Sequence, residues 1–165
     1  MRQIETLVPE LRLRTLLASD AGAYHSLVQA NAKHLTRFGD YQDEVAASER
    51  EIAAALADEQ SPPLRYGIVL ASELIGRVDL VPVEPPKYGL GFWLSQPVTG
   101  RGYATAAVAA LITHAARSLG ATEVFAGVTH GNDKSVALLQ RVGFEAVANF
   151  DDYRRYHLSL TKTRG

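Results

Sequence analysis

The most constraining stretch of this chain is Phe92-Trp93-Leu94-Ser95-Gln96-Pro97-Val98-Thr99-Gly100-Arg101-Gly102-Tyr103-Ala104-Thr105, where a strand-like segment passes through a Gly-X-Gly loop directly into a helical one. From 102 to 119 the residues Ala104, Val108, Leu111, Ile112, Ala115 and Leu119 share one face at helical spacing. Arg117 stands in the last turn and Gly120 just past it. A fold built around this junction needs both strands and helices. The junction also suits an anion. Glycines let the backbone approach a phosphate, and the first-turn N–H groups, which have no intrahelical partner, lie at the positive end of the helix dipole. Arg101 adds a candidate charge-assisted contact.

The remaining elements follow from periodicity and turn chemistry. Residues 11–17 alternate Leu11 and Leu13 with Arg12 and Arg14, the period of a half-buried strand. Ser19 or Asp20 caps a helix running towards Lys33, and residues 43–58 form a second helix that Pro62-Pro63 ends. Three extended segments, 64–71, 74–83 and 88–94, are separated by Ser72-Glu73 and Glu84-Pro85-Pro86 and predict an antiparallel meander. After the central helix come a strand at 122–128, a short helix at 132–142 stopped by Gly143, and strands at 144–150 and 153–160. No repeat, low-complexity tract or linker divides the chain. Residues 1–165 therefore predict a single domain of α+β class.

Charge and composition exclude several functions. The chain carries 17 Lys+Arg against 18 Asp+Glu, a net charge of −1, which argues against generic nucleic-acid binding. With no cysteine there is no disulfide framework, no Cys zinc site and no acyl-enzyme through a thiol. The five histidines (25, 34, 114, 130, 157) never fall at metal-ligand spacing, so no metal is expected. No Gly-X-Ser-X-Gly supports a serine hydrolase. The first ten residues hold Glu5 and Pro9 without an apolar core, and the apolar run at 106–112 is far below the ~20 residues of a bilayer span. A cytoplasmic protein without membrane contact is expected. The Gly-X-Gly loop leaves two further alternatives. A dinucleotide fingerprint would read Gly100-X-Gly102-X-X-Thr105 with Glu123 as its acid, but the third glycine is missing and a four-residue turn separates strand from loop. The other alternative is a glycine turn with no ligand.

At these residues the chain resembles the GNAT superfamily of acetyl-coenzyme A dependent N-acetyltransferases, and within it the RimJ/RimL type that acetylates protein N-termini. Thr99-Gly100-Arg101-Gly102-Tyr103-Ala104 falls on the family's pyrophosphate loop, Gln/Arg-X-X-Gly-X-Gly/Ala. Gly91-Phe92-Trp93-Leu94 upstream is similar to the family's Gly-Tyr-Trp-Leu strand. Gly102-Tyr103-Ala104-Thr105 opens the helix, Asn132-Asp133-Lys134-Ser135 follows the next strand, and Arg141-Val142-Gly143-Phe144 resembles the family's Lys-X-Gly-Phe ending. Thr99 departs from the usual Gln or Arg.

The resemblance implies a GNAT fold: a mostly antiparallel twisted sheet of about seven strands flanked by four helices, splayed between the fourth and fifth strands. It implies an acyltransferase of the EC 2.3.1 class that passes an acetyl group from acetyl-coenzyme A directly to a primary amine. The implied cofactor contacts are Trp93, Leu94, Thr99, Gly100, Arg101, Gly102, Tyr103, Ala104, Thr105, Asn132, Lys134 and Ser135. The Leu94 backbone N–H would meet the thioester carbonyl. Ser135 would protonate the thiolate or donate to it, because Leu139 stands where many members have Tyr; its alternative is a polar residue in the first turn of a helix capped by Asn132. His34, Phe38 and Tyr41 would line the acceptor site.

The family's usual Glu before Gly-Tyr-Trp is replaced by Gly89. Glu84 and Asp79 are the alternative bases, both expected as solvated turn or exposed-strand residues. Neutralising a Lys amine at pH 7 costs about 4.6 kcal/mol, against about 1.1 kcal/mol for an α-amine, so a site without a clear base suits an N-terminal amine. A small-molecule amine such as an antibiotic, amino acid or polyamine is the second acceptor class, and a non-catalytic acyl-coenzyme A binding module the third reading. Family habit also allows a homodimer through exposed strands.

Overall fold

A computed structural model describes residues 3–58 and 64–161. Within them the chain forms β1 (Gln3–Glu5), β2 (Leu11–Thr15), α1 (Ala21–Ala30), α2 (Ala32–Thr36), α3 (Gln42–Ala46), α4 (Glu49–Ala57), β3 (Leu64–Leu70), β4 (Glu73–Glu84), β5 (Lys87–Leu94), α5 (Tyr103–Ser118), β6 (Glu123–Thr129), α6 (Asp133–Val142), β7 (Glu145–Asn149) and β8 (Tyr153–Ser159). One sheet runs in the order β1-β2-β3-β4-β5-β6-β8-β7. Every neighbouring pair is antiparallel except β5 and β6. No described helix is long and apolar enough to cross a membrane.

Two apolar clusters hold the layers together. Leu13, Ile68, Val78, Leu80 and Val124 pack with Val108, Leu111 and Ala115 of α5, most of them without exposed surface. Small alanines on α5 let the helix lie close to the strands, and each buried Leu or Val adds roughly 1.5–3 kcal/mol of transfer free energy. The second cluster gathers Tyr24, Val28, Leu35 and Ile52 of the early helices around Trp93 of β5. The two clusters use alternate residues of the strands, so α5 covers one sheet face and α1–α4 the other.

The early helical region differs from its sequence expectation. Two helices were expected and four are present. Asn31 leaves helical geometry at φ −113°, ψ 17°. It is 5% exposed, and its side chain donates to the Leu27 carbonyl (2.9 Å) and to Ser95 Oγ (3.1 Å) while accepting from Gln96 N–H (2.9 Å). Those long-range bonds compete successfully with one more helical turn. Ser48 then restarts the chain as a capping box, exchanging bonds with Glu51 at 3.1 and 2.8 Å. Pro62-Pro63 lies outside the described residues. The eighth strand, β1, is three residues long, and pairing through Ile4↔Leu13 rather than any sequence period defines it.

The meander is tightest where β4 meets β5. A Cβ on Gly76 would lie 2.4 Å from the Trp93 carbonyl oxygen and 3.0 Å from the Leu94 Cα, both backbone atoms that cannot swing away. Gly76→Ala is therefore expected to lower stability by roughly 1–3 kcal/mol through overpacking. The check is a shifted urea midpoint at unchanged slope; a wild-type midpoint would contradict the close approach.

Candidate active site

The site begins with the pairing of β5. Ser95 N–H donates to the Ile75 carbonyl at 2.7 Å, and the register runs on through Arg77↔Trp93 and Asp79↔Gly91. Hydrogen-bonded and non-hydrogen-bonded pairs alternate along an antiparallel ladder. Trp93 and Gly91 thus turn their backbone groups to β4, while Leu90, Phe92 and Leu94 turn theirs the other way. On that side β6 pairs only through Lys87↔Glu123, Tyr88↔Val124 and Gly89↔Phe125. Beyond Gly89 the strands splay, and the N–H groups of Phe92 and Leu94 open into the gap.

One short segment wedges the gap from the α1–α4 side. His34 Nε2 lies 3.1 Å from the Leu94 carbonyl, and the Tyr41 hydroxyl donates to the Phe92 carbonyl at 2.8 Å. Asp40 accepts from Thr129 Oγ1 of β6 at 2.7 and 2.8 Å. Phe38 lies beside Gly131, where a Cβ would be 3.8 Å from its ring. A carbonyl only accepts, so His34 Nε2 carries the proton and Nδ1 is bare. Burial, then the Arg37 charge, holds the His34 pKa below its ordinary value, so this tautomer persists at neutral pH. Burial pushes the Tyr41 phenol up to about 12, keeping it a donor. Tyr41 adopts a left-handed backbone (φ 61°), unusual for a bulky residue, to reach the strand.

The resulting cleft has a volume of about 1580 Å³, larger than the roughly 300–1,000 Å³ of an ordinary small-molecule site. It runs from the splay to the Gly-X-Gly loop and along α5. Gly100 and Gly102 adopt φ +79° and +85°, and no heavy atom would meet a Cβ at either within 4 Å. The first turn of the sixteen-residue α5 presents its free N–H groups there. Thr99 hydrogen-bonds the Gln96 carbonyl at 2.8 Å, closing the loop on itself.

The cleft walls include Trp93, Leu94, Thr99, Gly100, Gly102, Tyr103, Ala104, Thr105, Asn132, Lys134, Ser135, His34, Phe38 and Tyr41. Two predicted residues stand elsewhere. Arg101 is exposed and does not line the cleft, and Glu84 sits at the far end of β4 beside Lys87 Nζ (3.9 Å), 81% exposed. The cation beside the α5 first turn is Arg141, whose guanidinium donates to Thr105 Oγ1 at 3.3 Å; nothing in the sequence pattern singled it out for this position. Asn132 caps α6 through Ser135 N–H at 3.3 Å.

Asp79 corrects the sequence expectation outright. It is 8% exposed, not a solvated strand residue, and faces α1–α4 beside Arg77, whose Nε lies 3.5 Å from its Oδ1. Arg77 is also held by Glu44 and the Tyr24 hydroxyl. Burial raises the Asp79 pKa and the Arg77 charge offsets part of that rise. Among the described residues no group of three His, Asp or Glu gathers as a metal site.

A splayed parallel pair beside a glycine-led helix N-terminus defines an acyl-coenzyme A transferase architecture, and comparison with known proteins agrees. The family model for the acetyltransferase (GNAT) domain matches residues 10–145, and the chain belongs to that family. The matched domain is an acetyltransferase domain, of the acyltransferase class. It is 31% identical over 83 residues to the Bacillus subtilis (strain 168) protein named "Putative ribosomal N-acetyltransferase YdaF", a match spanning 49% of this chain and 45% of that one. A solved structure of RimL, a ribosomal L7/L12 α-N-protein acetyltransferase in complex with coenzyme A, superposes with a TM-score of 0.83 at 22% identity, covering 96% of this chain and 98% of the other. RimJ of Mycobacterium smegmatis in complex with a coenzyme A disulfide gives 0.82 at 24% identity, covering 96% and 87%. A ribosomal-protein-S5-alanine acetyltransferase from Vibrio fischeri gives 0.86 at 16% identity over the whole of both chains.

Gly102→Glu tests the anion cradle. A carboxylate at the helix N-terminus, on a backbone at φ +85°, should weaken coenzyme A binding by at least about a hundredfold. Isothermal titration checks this; retained affinity would contradict the loop assignment.

Proposed function

We propose that this protein acetylates the N-terminal α-amine of a protein or peptide, taking the acetyl group directly from acetyl-coenzyme A. The observation that carries the reading is the Leu94 N–H, turned away from β4 into a cleft that leads to the α5 N-terminus. The site fits the cofactor: the loop glycines leave open space, α5 offers unpaired N–H groups, and Lys134, Arg37 and Arg141 line the same cleft. Acetyl-coenzyme A supplies a thioester whose carbonyl carbon an amine can attack. The backbone of 99–105 holds the diphosphate end. Leu94 N–H donates to the carbonyl oxygen as it gains charge, and one such preset donor contributes roughly 2.7–4 kcal/mol to the transition state. It is rigid because its strand is paired to β4 on one side and held by His34 on the other.

Ser135, in the first turn of α6 and on the cleft wall, donates a hydrogen bond to the departing thiolate, and the proton that the attacking amine loses passes through water to that sulfur. The acceptor enters from the α1–α4 side. The name of the similar RimL, a ribosomal L7/L12 α-N-protein acetyltransferase, supports this acceptor, as does the smaller cost of neutralising an α-amine. Phe38 and Tyr41 bound its entry.

Thiol release from acetyl-coenzyme A, followed with peptides bearing a free N-terminus, N-blocked lysine peptides and small amines, tests the reading. Free N-termini should exceed blocked lysine peptides in kcat/KM by at least about tenfold. Ser135→Ala should lower kcat by about a hundredfold while leaving coenzyme A affinity unchanged. Turnover confined to lysine or small amines, or a fully active Ser135→Ala, would contradict it.

A further inference from the structure

A second, smaller cavity of about 340 Å³ opens on the α1–α4 face and shares Tyr41, Leu90, Gly91, Ala126 and Gly127 with the main cleft. Glycines at 89, 91 and 127 leave its floor bare. The Arg77–Asp79 pair lines one side, Asp79 standing opposite Gly91 in the register, and Arg155, opposite Gly127, lines the other.

Arg155 has no ion-pair partner among the described residues, and Asp79, though paired with Arg77, keeps an unfilled acceptor. Asp79 is buried and its Oδ1 has no hydrogen-bond partner among the described residues, the Arg77 Nε of its ion pair standing 3.5 Å away. Arg77 itself is shared with Glu44 and Tyr24. The room for the carboxylate depends on glycine across the ladder, because a Cβ at Gly91 would come within 2.9 Å of Asp79 Oδ1. Burial that raises the Asp79 pKa marks a carboxylate that would gain from an incoming cation. Arg155 is exposed, lies over the Phe150 ring at 5.2 Å, and makes no ion pair among the described residues. Phe150 stacks on Tyr153 at 4.7 Å, which fixes the platform under the guanidinium. Gly127 is bare on the same side, where a Cβ would meet the Tyr153 ring at 3.1 Å.

We infer that this cavity is the acceptor subsite and that it selects an amine carrying a carboxylate close by, the ammonium on Asp79 and the carboxylate on Arg155. The inference rests on the transferase reading above and narrows its substrate. Two sources share this chemistry: a peptide N-terminus followed by an acidic residue, and a free amino acid.

The test uses the full chain with acetyl-coenzyme A and three peptides that differ only at the second residue, Glu, Gln or Lys, beside free glutamate. In the wild type kcat/KM should fall in the order Glu, Gln, Lys across roughly tenfold or more. Arg155→Glu should reverse the order. Asp79→Asn should raise KM for every accepted amine by about tenfold or more with coenzyme A affinity unchanged. Arg155 is exposed, so its charge reversal reads out even where Asp79→Asn fails to fold. A Glu peptide outpacing free glutamate supports the inference with a peptide as source, and the opposite supports it with an amino acid as source. Equal rates for the three peptides, or an Arg155→Glu protein with wild-type preference, would overturn it while leaving the transferase reading standing. No turnover of any amine would overturn that reading instead.

Discussion

The structure depends on a splay held open by a wedge. A parallel pair left alone would keep zipping, because each additional rung satisfies a donor and an acceptor. Here β5 and β6 stop at Gly89↔Phe125, and the segment 31–41 supplies the bonds that further pairing would have given. His34 and Tyr41 take the Leu94 and Phe92 carbonyls, Asp40 takes the Thr129 hydroxyl of β6, and Asn31 grips Ser95 and Gln96. The carbonyls of the β5 edge are thus satisfied by side chains. Its N–H groups face the cleft. That asymmetry turns a strand edge, elsewhere a liability for aggregation, into a row of donors directed at a ligand.

In the proposed reaction the same wedge divides the cofactor side from the acceptor side. The cofactor cleft lies along α5 and the glycine loop. The smaller cavity lies on the opposite sheet face, and the two meet at Tyr41, Leu90, Gly91, Ala126 and Gly127. Small residues at this seam leave the two cavities close together, as the proposed transfer between two ligands requires. The buried cluster of Arg77, Asp79, Glu44 and Tyr24 anchors α1 and α3 against β4 and so sets where the wedge stands. Charge inside it is costly, and the Arg77–Glu44 pair compensates only part of it.

Much of this was legible in the residues. The apolar stripe of α5, the Gly-X-Gly loop, the meander and the splay position all follow from local periodicity, glycine geometry and the family pattern. Of the cofactor contacts expected from the sequence, all but Arg101 line one cleft. What was not legible depends on partners far away in sequence. Asn31 looks like a helix residue until Ser95 and Gln96 are seen beside it. Asp79 looks solvated in a strand until Gly91 and the α1–α4 layer enclose it. Arg141 reads as a helix C-terminal cation, and only the packing of α6 on α5 brings it to Thr105. The Ser48-X-X-Glu51 capping signal was present in the sequence and divides the second predicted helix.

Amide hydrogen exchange at β5, resolved by residue with and without acetyl-coenzyme A, tests the central claim. In the free protein Trp93, bonded to β4, should be protected, while Leu94 and Phe92 exchange rapidly. Adding acetyl-coenzyme A should slow Leu94 by at least about tenfold, as a new hydrogen bond requires. Protection of Leu94 in the free protein, or exchange that the cofactor leaves unchanged, would contradict an edge held open as a donor row.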